Sequence, residues 1–448
     1  MGRRRGGAVP DRREADSMST KRSKSLRAGT AAIAALGIVT LAACGSGGGD
    51  DTAADGSTTL KMTVWGGDVD KKSYQERIDL FEASQDDVKI ELQLIPGEQY
   101  EQKVQTMIAG GDGPDIMQVA EGVNVYSSKN QIIPLDDLAA DAGLDLEERF
   151  GPVGTLYSYE DSVYAIPDRS GAMIVYYNKD MFDAAGVEYP NADWTWQDAQ
   201  AAMEKLTVPG QQWGYSGAGW WAQWWSFAYQ NGGQIIDDEG QPQANSPEVV
   251  EALQWANDLT HKLHVVPTAA EYADMGPDMG GDPAFAAEKV AMNTTGFWAI
   301  NSLLDVDFNW DIAPMWQGEE QAVSAFGSGL AISRDSEHAE QAFQAIDFLT
   351  DAEAQAVIIK NAQDVPANLE VQQSEAFLKP EWATREVNMG AFGESSSFVF
   401  RSPLIPEWNE MQAAFDDNLG TFWNEGGDAK TQLDTIQKQL ESIIKPAS

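Results

Sequence analysis

The sequence predicts an α/β fold on a parallel sheet. Two observations carry this: strand-like runs alternate with runs of helical period, and the folded part of the chain opens in the order strand, helix, strand, helix, strand. Residues 60–65 alternate and break at Gly66-Gly67, which reads as a strand and a loop. Tyr74, Ile78 and Phe81 place a helix over 71–84, and Val88, Ile90, Leu92 and Leu94 alternate as a second strand. Residues 98–109 form a helix with Tyr100 and Val104 inward, stopped at Gly110-Gly111, and 116–120 form a short buried strand. Further on, 173–177 is a strand, Thr195 caps a helix ending near Leu206, and Ser246-Pro247 opens another running to Leu263. Strands at 290–292 and 326–332 follow, then helices at 337–349, 352–360, 406–415 and 429–444.

The 448 residues carry 30 Lys plus Arg against 70 Asp plus Glu, a formal net charge of -40. Such acidity argues against nonspecific grip on nucleic acid or anionic lipid, which needs positive surface. The length suits two or three domains, and 43% hydrophobic residues suit a globular chain and not an acidic disordered one. One cysteine excludes an internal disulfide and any cysteine-rich metal centre.

Charge is uneven: the basic stretch from Lys21 to Arg27 precedes an apolar run over 28–43, built like the core of a secretory signal and too short for a confident membrane span. Residues 1–17 are surplus to such a signal, so Met18 is a candidate translation start. Leu41-Ala42-Ala43-Cys44-Gly45 resembles a bacterial lipobox, which implies cleavage after Ala43 and acylation of Cys44, palmitate-type chains included. The Gly, Ser, Thr, Ala and Asp composition of 45–59 suits a flexible tether.

The chemistry of catalysis is sparse. His261 and His264 lie three apart at a helix end and His338 sits beside Glu337 and Glu340, so neither a metal site nor a histidine-based catalytic centre is expected. Gly110-Gly-Asp-Gly113 lacks the following Lys-Ser or Lys-Thr of a phosphate loop. No cofactor is expected. Tryptophan stands out: 15 are present, and Trp220-Trp221-Ala-Gln-Trp224-Trp225 cannot all point inward because consecutive residues face different directions. At least one of Trp220, Trp221 and Trp224 is expected in a ligand site, where a flat ring matches the apolar face of a sugar. Trp65 is expected there too, because α/β ligand sites gather at the carboxyl ends of strands.

With Val64-Trp65-Gly-Gly-Asp68, Ala109-Gly-Gly-Asp-Gly-Pro-Asp-Ile116, Val163-Tyr-Ala-Ile-Pro167, Asn231-Gly-Gly233 and Gly296-Phe-Trp298 in this order behind a lipobox, the chain resembles the substrate-binding lipoproteins of carbohydrate ABC importers, the maltose-binding protein class. The resemblance implies a two-lobed periplasmic-binding-protein-like fold of type II, with 60–165 plus 326–377 in lobe 1 and 166–325 plus 378–448 in lobe 2. It implies crossings near Ile166, Phe326 and Phe377. It puts Trp65, Asp68, Gln118 and Glu121 on the first lobe's cleft edge and Trp298 opposite, with Trp220, Trp221 and Trp224 nearby and Asp168 and Arg401 in cleft-facing segments. Pro114, Asp115 and 178–180 read as structural positions. The implied function is capture of a sugar, a di- or oligosaccharide by the extent of the aromatic wall, and delivery to a membrane permease. The protein would be a monomer on the extracytoplasmic face of the cell membrane. The alternatives are a noncarbohydrate solute, such as a phosphodiester, peptide or polyamine, or a secreted glycoside hydrolase.

Overall fold

The computed structural model describes residues 56–444; the predicted signal, Cys44 and the tether up to residue 55 lie outside them, and Thr58 and Thr59, expected in the tether, already belong to the first strand. Strand β1 (Thr58–Trp65), helix α1 (Asp68–Ser84), β2 (Val88–Ile95), α2 (Gly97–Gly110) and β3 (Ile116–Val119) follow in the expected order. β1 lies between β2 and β3, parallel to both. Leu60, Met62 and Val64 alternate onto one face against Tyr74, Ile78 and Phe81 of α1; Tyr100 and Val104 of α2 cover the other with Met117 and Val119.

The rest of this sheet comes from distant sequence. The strand Val323–Ile332 pairs antiparallel with β3 and with the strand Ile166–Ala172, and a short strand, Val399–Phe400, adds beside it in parallel. This gives a mixed six-stranded sheet in place of a wholly parallel one. Alternation within single strands does not encode direction, so the sequence pattern could not show the antiparallel members.

A second, four-stranded sheet orders Trp310–Pro314, Ile174–Asn178, Val290–Thr295 and Trp213–Tyr215. Ile174 and Tyr176 face one core with Phe285 and Ile300, while Val175 and Tyr177 face another with Phe182 and Trp196. Both sheets are therefore covered on both faces, and the chain is a two-domain α/β protein. Because Ile166–Ala172 is still in the first sheet, the chain leaves it only at Met173, seven residues past the expected crossing at Ile166. It returns between Pro314 and Val323.

Local signals explain the helix ends. Thr195 and Asp198 form a reciprocal capping box, and the Ser246 hydroxyl accepts from the Val249 amide ahead of Pro247. The helix expected at 406–415 runs further, as Trp408–Glu425, packs on the final helix Ala429–Ile443, and buries Met411, Phe415, Leu419 and Phe422.

Candidate functional site

Trp65 ends β1 at the carboxyl edge of the parallel strands, where α/β folds gather ligands. Its backbone amide donates to Gln118 Oε1 at 3.0 Å, and Gln118 Nε2 donates to Ser328 Oγ at 2.7 Å. Tyr100 meets the indole edge-on at 5.2 Å, and the Arg169 guanidinium lies 5.5 Å from its centroid. Gln118 is fully buried, so it locks the Trp65 backbone in place from behind.

The opposite wall is aromatic. Trp220 precedes the helix Trp221–Gln230, and Trp298 lies in the short 3-10 helix Phe297–Ser302. Trp220 stacks on Phe326 at 5.0 Å and 13°, and Trp298 meets both rings edge-on at 5.9 and 5.4 Å. These indoles are 40% and 39% exposed, unusual for rings this large. Between the walls lies a cavity of about 410 Å³ whose polar lining is Asp70, Glu121, Arg169, Asn301, Gln363 and Asp364. Trp65 and Glu121 also border a neighbouring space of about 260 Å³ that reaches Glu101 and Trp408. Trp220 and Trp298 likewise border one of about 500 Å³ that reaches Asp282 and Asn293. The three form one groove.

Arg169 is buried and placed among acids: its Nη1 is 3.0 Å from Asp70 and 3.6 Å from Asp364, and its Nε is 3.9 Å from Asp168 and donates to Ser328 Oγ at 3.1 Å. Burial pushes the Asp364 carboxyl up to about 6 against the pull of Arg169. Burial also lifts Glu121 to about 7, with Glu101 adding to the rise, and raises Asp282. Acceptors and flat rings in one cleft can hold a polyhydroxylated ligand, whose hydroxyls need directional partners and whose C–H faces are apolar.

Of the expected residues, Trp65, Glu121, Trp220 and Trp298 line the central cavity. Trp221 is half-buried beneath them, edge-on to Trp225 and Trp408. Four expectations need correction. Trp224 is 1% exposed and packs against Phe415, because its position on the helix turns it to the core. Asp68 is exposed in the first turn of α1, and the acid two residues on, Asp70, reaches the cavity. Asp168 is fully buried, bonded by Tyr74 and Arg77, and its neighbour Arg169 faces the cleft. Arg401 is exposed, donates to Thr155 Oγ1, and does not border the groove. Gln118 supports the site without lining it.

Sequence reasoning missed Asp70, Arg169, Phe326, Gln363 and Asp364. Asp70 and Arg169 each lie within two residues of an expected acid, and strand alternation at 168–169 could have flagged the second. Gln363 and Asp364 follow Ala362, held at φ +50 after the helix Ala352–Lys360, and carry no periodic signal.

Two α/β domains with an aromatic and carboxylate-lined groove define a solute-binding protein, and the comparisons agree. Residues 66–356 match the family of bacterial extracellular solute-binding proteins, and this chain belongs to it. An ABC substrate-binding protein of Listeria monocytogenes, in complex with cycloalternan, is 28% identical with a TM-score of 0.78, covering 86% of this chain and 98% of that one. A maltose-bound protein of T. maritima, 19% identical over 86% of this chain and all of that one, shares the fold with a TM-score of 0.73. Among curated proteins, the sn-glycerol-3-phosphate-binding periplasmic protein of Escherichia coli K12 is 23% identical over 77% of this chain and 84% of its own length. The family binds solutes and does not transform them.

Proposed function

We propose that this protein captures a saccharide of two or more units and hands it to an ABC permease. The observation that carries this reading is the convergence of Trp65 and the exposed Trp220 and Trp298 on the same 410 Å³ cavity, with carboxylates and amides in its lining. Rings supply apolar contact to sugar faces, and Asp70, Glu121, Asn301, Gln363 and Asp364 supply acceptors for hydroxyls. The saccharide-bound structural relatives support it. Residues 60–165 with 326–377 form one lobe in this reading and 166–325 with 378–448 the other, except that the strands Ile166–Ala172, Val323–Ile332 and Val399–Phe400 all belong to the first lobe's sheet. The lobes close on the sugar to the extent that it binds the closed state better. Cys44 carries the lipid anchor on the outer face of the membrane, and the protein works as a monomer.

The name of the Escherichia coli relative favours a second reading, an anionic phosphoester. The lining argues against it, because its one guanidinium, Arg169, already faces Asp70, Asp364 and Asp168. A thermal-shift and calorimetric screen against mono-, di- and oligosaccharides and glycerol phosphate tests the choice, since a ligand that binds only the native form raises the melting temperature. A saccharide shift that Trp298→Ala abolishes is expected. A shift with glycerol phosphate alone overturns the proposal.

A further inference from the structure

The groove holds more negative charge than its own cation balances. Asp70, Glu121 and Asp364 line the central cavity with one guanidinium, that of Arg169. Asp168, behind the cavity, is balanced by Arg77 and leaves the count unchanged. At least one carboxylate's worth of charge therefore faces the cavity without a counterion in its lining. Arg169 already faces Asp70, Asp364 and Asp168 and donates to the Ser328 hydroxyl.

A separate observation points the same way. Gln363 is 4% exposed; its Nε2 donates to Asp70 Oδ1 at 3.1 Å, while its Oε1, also buried, has no partner. Buried acceptors cost free energy until a donor arrives, so this cavity is short of donors as well as of positive charge. The faces of Trp220 and Trp298 add electron-rich surface that attracts a cation.

We propose that the saccharide bound here carries a protonated amine, seated in the cavity that Asp70, Glu121, Asp364 and Gln363 line. This rests on the saccharide reading and narrows it to amino sugars and their glycosides. An ammonium supplies N–H donors and the missing charge together, whereas a neutral sugar supplies only donors and a phosphoester worsens the imbalance. Protonation behaviour is in keeping: burial raises both carboxyls, Asp364 facing Arg169, Asp70 and Asp168, and Glu121 facing Glu101 and Tyr157. A bound cation would lower both and release protons.

Calorimetric titration of matched sugars tests it. Glucosamine, galactosamine and the β-1,4 dimer of glucosamine are each compared with their N-acetylated and hydroxyl counterparts, which keep the ring and lose the charge; spermidine serves as a non-sugar amine. At pH 7 the amine members should bind at least about tenfold more tightly than both counterparts. They should release protons, and the preference should shrink at pH 5 as Glu121 and Asp364 protonate. Asp364→Asn and Glu121→Gln should each shrink it at pH 7, with melting curves confirming that the variants fold. Neutral sugars that bind as tightly as amines overturn the inference and leave the saccharide reading standing. Spermidine binding as tightly as the amino sugars, or no binding by any sugar tested, removes both.

Discussion

Replacing Asp168 by Asn separates a fold-holding acid from a ligand-binding one. The carboxylate sits fully buried between α1 and the strand Ile166–Ala172, accepting from Tyr74 Oη at 2.5 Å and from Arg77 Nη2. Gln355 Nε2 donates to the Asp168 carbonyl at 2.8 Å, tying in the helix Ala352–Lys360. Arg77 is itself wholly buried and already has two nitrogens, Nε and Nη1, without partners. Asparagine keeps the shape but removes the charge, leaving Arg77 to the Leu349 carbonyl alone. Breaking a buried pair from one side costs about 3–5 kcal/mol, because the stranded charge stays out of water. For a chain of this size that lowers the melting temperature by about 4–6 °C. Thermal and denaturant unfolding measure the loss, and a ligand titration well below the transition measures affinity, which should stay within about threefold. A variant with unchanged melting but lost binding would refute the assignment and return Asp168 to the cleft.

The tryptophans should divide by environment. Trp224→Ala should cost about 3–5 kcal/mol of stability through the cavity it leaves, whereas Trp220→Ala and Trp298→Ala should melt nearly normally and lose about tenfold or more in saccharide affinity; denaturant midpoints and calorimetry read the two effects. Glu121 has its carboxyl raised to about 7 by burial, above an unfolded value of about 4.3, so its ionisation destabilises the fold as pH rises through that interval. Glu121→Gln should therefore gain a few kcal/mol at most without ligand at pH 8, at about 1.4 kcal/mol per unit of the rise, and nothing at pH 4, as read from denaturant midpoints at the two values. On the proposed lipoprotein reading, Cys44→Ser should move the protein from the membrane pellet to the soluble fraction, because acyl chains hold a protein on a membrane in proportion to their buried length.

Periodicity located six of the ten strands in the two sheets, because each strand buries alternate residues and each helix a stripe, and it missed Ile166–Ala172, Trp213–Tyr215, Trp310–Pro314 and Val399–Phe400. It could not assign strand direction, which depends on partners far away in sequence; Val323–Ile332 pairs with β3 and with Ile166–Ala172 across long separations. In the site, the bulky residues were legible: Trp65, Trp220 and Trp298 are costly to expose and so stand out. The acids were not. Asp68 and Asp70 have the same chemistry and differ by two positions, and one turn of α1 decides which reaches the cavity. The Trp220–Trp225 run shows the limit from the other side, since one short helix sends Trp220 to the groove and Trp224 to the core.

The strand pair Ile166–Ala172 and Val323–Ile332, at whose ends the chain passes between the two sheets, also carries part of the cavity wall. Arg169 and Phe326 line the cavity, their strands pair, and Ser328 receives bonds from both Arg169 and Gln118. At Gly327, held at φ +149, an added Cβ would fall 2.2 Å from the Arg169 carbonyl, so no larger residue fits that junction. Anyone redesigning this protein for a new cargo thus meets an asymmetry. Changes at Arg169 or Ser328 alter the connecting ribbon along with the contact surface, so selection for a new ligand there is also selection on mechanics. The rim formed by Trp220 and Trp298 is attached to one domain by its own short turns, and it is where a biosensor or an evolving lineage can exchange specificity while leaving the joint intact.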